Sequence, residues 1–231
     1  MKGFVFDLDN TLFDRYATLT EIITRRYEEI REYINPGYDL RRAIDHALHT
    51  EKLYVQEYAW RGVYDHLAAE HFFNADHTPD WEQFKDFVLG NFAKIAVPFS
   101  YAKPLLQKLR DRGYKVALLT NGSISLQQSK LRLIGLENSF DLIVCASNKE
   151  GDSDYPIMKP DPSPFLYVAE RLGLAPEELY YVGDNPINDI LGAQAAGYVP
   201  VWIRAESPWT RPNDQMPALC YDDVCGLEEL I

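Results

Sequence analysis

The chain has 231 residues and a formal charge of −12, from 35 acidic against 23 basic side chains. That balance opposes binding to a polyanion such as DNA or RNA, and no basic stripe offsets it. Apolar residues make up 46% and aromatic residues 13%, enough for one core domain plus a smaller insert.

No run approaches the length of apolar residues a membrane span needs, and no charged leader with a cleavage site opens the chain. A soluble cytoplasmic protein is expected, either monomer or homodimer, that does not engage a membrane. Cys145, Cys220 and Cys225 lack metal-site spacing and are expected as reduced thiols.

Gly3-Phe4-Val5-Phe6 reads as a short buried strand. Asp7 and Asp9 follow it, and strand alternation would send both carboxylates to one side. Acids this close repel unless a cation joins them, which suits a hard metal ion, a nucleophile and a proton carrier. Residues 15–96 then read as entirely helical, with helices over 22–34, 40–48, 53–73 and 81–92 and breaks at Pro36-Gly37 and Pro79. Leu53, Tyr54, Tyr58, Trp60, Val63, Tyr64 and Leu67 are mostly core of this block, with Arg15, Tyr54, Arg61 and Tyr64 as candidate substrate contacts. All five histidines fall here, and His46 and His49, without a third ligand, are read as ordinary side chains.

From Pro98 onward strands alternate with helices, the pattern of a parallel sheet. Strands are predicted over 116–119, 142–145, 180–182 and 199–203, with Gly113, Gly135, Gly173 and Gly197 ending the helices between them. The core is therefore 1–14 with 97–231, and 15–96 is an insert. Residues 204–212 read as an irregular tail and 227–231 as a short closing helix.

Chemistry gathers at the strand ends. Leu118-Leu119-Thr120-Asn121-Gly122 finishes an apolar run with a hydroxyl, an amide and a glycine. Thr120 with the amides of Asn121 and Gly122 would make a small anion nest, although Thr-Asn-Gly is also a common turn. Lys159 precedes Pro160, which pushes it to an extended conformation just ahead of a helix expected to start after Ser163. Gly183-Asp184-Asn185-Pro186-Ile187-Asn188-Asp189 brings two more acids to a strand end. Asp189 either orients Lys159 or a metal-bound water, or is an acid stabilised by a helix dipole.

These four segments, in this order, resemble the four motifs of the haloacid dehalogenase-like (HAD) hydrolase superfamily. The resemblance implies a Rossmann-like doubly wound α/β sheet of order 3-2-1-4-5 with the insert as a helical C1 cap. It implies Asp7 as nucleophile, and Asp9 as the acid and base whose backbone carbonyl also meets the metal. Lys159 would lower the negative charge at the phosphate, and Asp7, Asp9 and Asp184 would hold Mg²⁺. Asn10, Asn121, Gly122 and, weakly, Arg61 complete the candidate phosphate and substrate contacts. An acid at position 9 favours phosphoryl over carbon–halogen substrates, since halide leaves without a proton. The implied activity is a Mg²⁺-dependent phosphatase acting on a small phosphorylated metabolite through an aspartyl-phosphate. A phosphomutase remains the alternative, followed by a dehalogenase or a non-catalytic binding protein.

Overall fold

The computed structural model describes residues 2–204 and 209–231, and the side chains of 55–59 lie outside the described set. Tyr58 of the aromatic stripe and positions 205–208 of the tail therefore fall outside it. Close contacts divide the chain into two units, Met1–Asp14 with Val97–Ile231, and Arg15–Ala96.

In the first unit β1 (Gly3–Phe6), β2 (Lys115–Asn121), β3 (Leu142–Ala146), β4 (Leu179–Gly183), β5 (Val199–Ile203) and β6 (Leu219–Tyr221) form one parallel sheet. The order among the described residues is β3-β2-β1-β4-β5-β6. The five expected strands keep their expected order. The sixth lies between the tail of 204–212 and the closing helix of 227–231, in a stretch given no element, where three residues leave no room for a periodic signal.

Parallel strands covered on both faces read as continuous apolar runs, and β1 is buried along its whole length. Successive side chains go to opposite faces. Val5, Ala117, Leu119 and Tyr181 share a cluster with Phe165, Val168 and Ala169 of α6 (Ser163–Leu172). α4 (Ala102–Asp111) packs on β2 as well and buries Leu105, Leu106 and Leu109. Gly173 ends α6 in the left-handed region at φ 67°, its amide donating to the Ala169 and Glu170 carbonyls.

The second unit comprises α1 (Arg15–Ile30), α2 (Leu40–Ala69) and α3 (Trp81–Phe92). The separate helices expected over 40–48 and 53–73 are one 30-residue helix. Nothing between them breaks a helix, and Thr50 bonds back to the His46 carbonyl at 3.0 Å within it. Asp39 and Asp80 cap α2 and α3 by accepting from the Arg42 and Gln83 amides. A cavity of about 320 Å³ lies within this unit, lined by residues such as Leu19, Ile23, Trp60, Val63, Phe84 and Phe87.

The Phe165 ring is fully buried, 4.8 Å from Tyr181 and 5.9 Å from Tyr198 between ring centres. Phe165→Ala is expected to cost about 3–5 kcal/mol, read as a lower urea midpoint with an unchanged m value.

Candidate active site

Register brings the site together. Phe6, the last residue of β1, pairs with Leu118 on one side and Val182 on the other, near the carboxyl ends of β2 and β4. Asp7 and Asp184 follow directly after β1 and β4, and Thr120 is the penultimate residue of β2, so all three lie at the carboxyl edge where open α/β sheets bind ligands. The Asp7 amide donates to the Val182 carbonyl at 2.8 Å, which fixes the first carboxylate on the sheet.

Lys159 arrives from the segment before α6. Its ammonium donates to Asp7 Oδ1 at 2.7 Å, to Asp189 Oδ1 at 2.6 Å and to the Tyr181 hydroxyl at 2.7 Å. An ammonium has three N–H donors, so this one is saturated. The expected reach of Lys159 to Asp7 is present, and its charge is shared between Asp7 and Asp189. The Asn121 side chain clamps the Lys159 main chain from both sides, donating to its carbonyl and accepting from its amide, both at 2.9 Å.

Two expectations change. The Gly122 amide donates to the Ala146 carbonyl at 2.8 Å. β2 continues past Thr120 to pair with β3 up to Asn121, and this ladder takes the donor meant for the anion nest. The helix after Lys159 begins at Ser163 itself rather than beyond it.

Asp9 parts company with Asp7. β1 stops at Phe6, so strand alternation does not extend to position 9, and Asn10 turns the chain at φ 56°. The Asp9 carboxylate meets Lys130 of α5 (Ile124–Leu133), with Nζ 2.7 Å from Oδ1 and 3.0 Å from Oδ2. Thr120 is buried, and its hydroxyl accepts from Gln127 Nε2 at 2.9 Å.

After β4 a π-helical turn, Pro186–Leu191, folds Asp189 back beneath the strand end. Asp189 Oδ2 accepts from the Asn185 amide at 2.9 Å. Asp184 is held from behind, its carbonyl accepting from Trp202 Nε1 at 2.9 Å. One oxygen each of Asp7, Asp184 and Asp189 lie within 4.8 Å of one another, all three residues buried.

Buried carboxylates are the hard oxygen donors a divalent cation prefers. Asp7, Asp9, Asp184 and Asp189 set against Lys130 and Lys159 leave two excess negative charges, which one such ion would balance. Burial pushes the Asp7 carboxyl up to about 7; the Lys159 charge opposes this, and the Asp189 and Asp9 charges add to it. Burial also opposes a charged Lys159, but Asp189 and Asp7 outweigh it and hold the ammonium above the ordinary lysine value.

The helical-unit candidates all find partners within their own unit. Arg61 pairs with Asp65 at 3.0 Å, Arg15 with Glu51 at 2.6 Å, and the Tyr64 hydroxyl donates to the Pro79 carbonyl at 2.8 Å. Tyr54 stacks on His66, and His46 bonds Tyr38 and Glu70. Sequence reasoning missed Tyr181, Gln127 and Lys130. Tyr181 sits in an apolar strand and reads as core. Gln127 and Lys130 sit three apart, and that helical spacing, on one face of α5 with Leu131, was the available signal.

A family model described as haloacid dehalogenase-like hydrolase matches residues 1–197. The chain belongs to that family. It is 31% identical over 216 residues to a glyceraldehyde 3-phosphate phosphatase of Methanopyrus kandleri, covering 88% of this chain and 84% of that one. It is 40% identical over 116 residues to a phosphoserine phosphatase of Thermus thermophilus. That match takes 48% of this chain, and the chain spans less than half, 44%, of the Thermus enzyme. Among solved structures, the HAD-hydrolase YfnB of Bacillus subtilis superposes with a TM-score of 0.72 at 20% identity. That superposition covers 99% of this chain and 97% of the other and speaks for the fold alone. No described helix is long and apolar enough to cross a membrane.

Gly183 leaves the space that Asp189 fills, since a Cβ there would lie 2.4 Å from the Asp189 carboxyl carbon. Gly183→Ala is expected to displace Asp189 from Lys159 and to cost about 1–3 kcal/mol, measured as a lower urea midpoint.

Proposed function

We propose that this hydrolase is a Mg²⁺-dependent phosphatase that attacks a small phosphorylated metabolite with Asp7. The observation that carries the reading is the division of Asp7 itself. Lys159 anchors Oδ1 at 2.7 Å, while Oδ2 has no hydrogen-bond partner among the described residues. One oxygen is fixed and the other is available at the sheet edge, as in-line attack on phosphorus requires.

The steps follow from the residues. Asp7 forms the phosphorus–oxygen bond as the ester oxygen departs, giving an aspartyl-phosphate. Asp9 gives that oxygen its proton, then takes one from the water that hydrolyses the intermediate. Asp189 and Tyr181 keep Lys159 against the nucleophile, and Thr120 faces the phosphoryl group. Asp7 and Asp184, with the Asp9 carbonyl, would hold Mg²⁺, which supplies charge neutralisation for phosphate oxygens when bound. A hydroxyl-bearing leaving group needs the acid at position 9 and halide does not, so the phosphoryl reading stands ahead of a dehalogenase. The relatives named for phosphoserine and glyceraldehyde 3-phosphate favour small phosphomonoesters. We read residues 15–96 as the family's cap.

Asp7→Asn is expected to abolish release of inorganic phosphate from a panel of phosphorylated metabolites with Mg²⁺ while the far-ultraviolet circular dichroism stays the same. Unchanged turnover would refute the assignment of Asp7. Formation of an isomeric phosphate in place of free phosphate would make the enzyme a mutase.

Cation binding needs Asp7 as carboxylate. With its carboxyl at about 7 in the absence of a cation, Mg²⁺ affinity should weaken steadily as pH falls through 7, measured by calorimetric titration. Without cation, the folded chain keeps on Asp7 a proton that the unfolded chain sheds near the ordinary 3.8. Stability in chelator should accordingly decline as pH rises from about 4 to about 7.

A further inference from the structure

We propose that Lys130 is a positioning residue for proton transfer, clamping the Asp9 carboxylate to α5. This rests on the reading of Asp9 as proton carrier given above.

α5 needs no lysine at this position to pack. Lys130 lies on the buried face with Gln127 and Leu131 and is only 5% exposed. A buried lysine–carboxylate pair loses hydration that its mutual attraction barely repays, and apolar replacements of similar size commonly do as well for stability. Fold stability alone therefore gives a weak reason for the pair.

Its geometry gives a stronger one. The ammonium is closest to Asp9 Oδ1, at 2.7 Å, and the Phe13 ring flanks it at 5.1 Å from the centroid. One turn earlier, Gln127 Nε2 lies 2.9 Å from the Thr120 hydroxyl, 2.7 Å from the Asn121 carbonyl and 3.5 Å from Asp9 Oδ2. Two side chains of one helix face thus tie the proton carrier to the phosphate-facing threonine, 120 and 9 being brought to a common frame. Asp9 comes after its strand has ended and just before a left-handed turn residue, so β1 alone does not fix it. α5 supplies that constraint. Lys130 pairs with Asp9, and Lys159 with Asp7 and Asp189.

The test uses the full chain with Mg²⁺ and two probes. 4-Nitrophenyl phosphate has a leaving group that departs without a proton, whereas glycerol phosphate does not. In Lys130→Met the burst of nitrophenol, which reports phosphorylation of Asp7, should stay within about twofold of the parent. kcat on glycerol phosphate should fall roughly 100-fold, the cost of a misplaced group, with KM little changed. Lys130→Arg should recover part of it. In an Asp9→Asn background, Lys130→Met should add no further loss. Equal loss of burst and steady-state rate with raised KM would place Lys130 on the phosphate instead and overturn the proposal. No change on either probe would overturn it too, leaving the pair as packing. If Lys130→Met does not fold, Lys130→Arg alone reports whether the two probes separate. A parent protein that releases phosphate from neither probe would defeat the phosphatase reading itself, an outcome distinct from loss of the Lys130 role.

Discussion

A single saturated ammonium organises the sheet edge. Lys159 uses all three of its donors on Asp7, Asp189 and Tyr181, and it does so almost wholly out of water. Burying a charge is costly unless it is paired and hydrogen-bonded, so each partner is required by the others. Asp189 reaches Lys159 because the π-helical turn folds it under β4, and it fits there because residue 183 has no side chain. Tyr181 in turn donates to the Leu119 carbonyl at 2.9 Å, tying the cluster to β2. The Asn121 amide closes the frame on the main chain of Lys159. Three strands and one loop are thereby fixed around the Asp7 carboxylate, with no hydrogen bond to its second oxygen among the described residues.

Around that frame, labour is divided between two cations. Lys159 belongs to the acids on the sheet, whereas Lys130 comes from a helix and holds the acid that has left the sheet. Such separation has a physical use. On the proposed reading, in which Asp7 is the nucleophile and Asp9 the proton carrier, the two act on opposite sides of one bond in turn, and a shared counterion would couple their positions. Separate lysines let each carboxylate keep its own orientation.

How much of this could be read in advance depended on whether a signal was local. Apolar runs ending in Asp7, Thr120 and Asp184 announced both the strands and their functional edge, because parallel strands buried on both faces leave an uninterrupted apolar stretch. Their register then needed no further information. Lys130 and Gln127 were not legible in the same way. A lysine in a ten-residue helix is normally a solvated side chain, and only the docking of α5 on the sheet turns its face inward. The Gly122 amide shows the reverse error: turn chemistry suggested a free donor, and the ladder between β2 and β3 ran one residue further and used it. β6 and the unbroken α2 were missed for a related reason, since a three-residue strand has no period and a helix boundary was inferred where no breaker stood.

The charge balance connects these parts to the chemistry. Four acids stand against two lysines at the site, and burial above all, with the Asp189 and Asp9 charges adding to it, pushes the Asp7 carboxyl up to about 7. Lys159 opposes this rise without cancelling it, and Lys130 pairs with Asp9. Asp184, steadied through its carbonyl by Trp202 on β5, stands beside Asp7. A divalent ion between Asp7 and Asp184 would turn the reluctant acid into a full carboxylate, which is the form a nucleophile must take. The same excess of acids would repel a phosphate dianion from the uncompensated site. On the proposed reading cation and substrate charge are matched to each other, each compensating what the other would leave unbalanced.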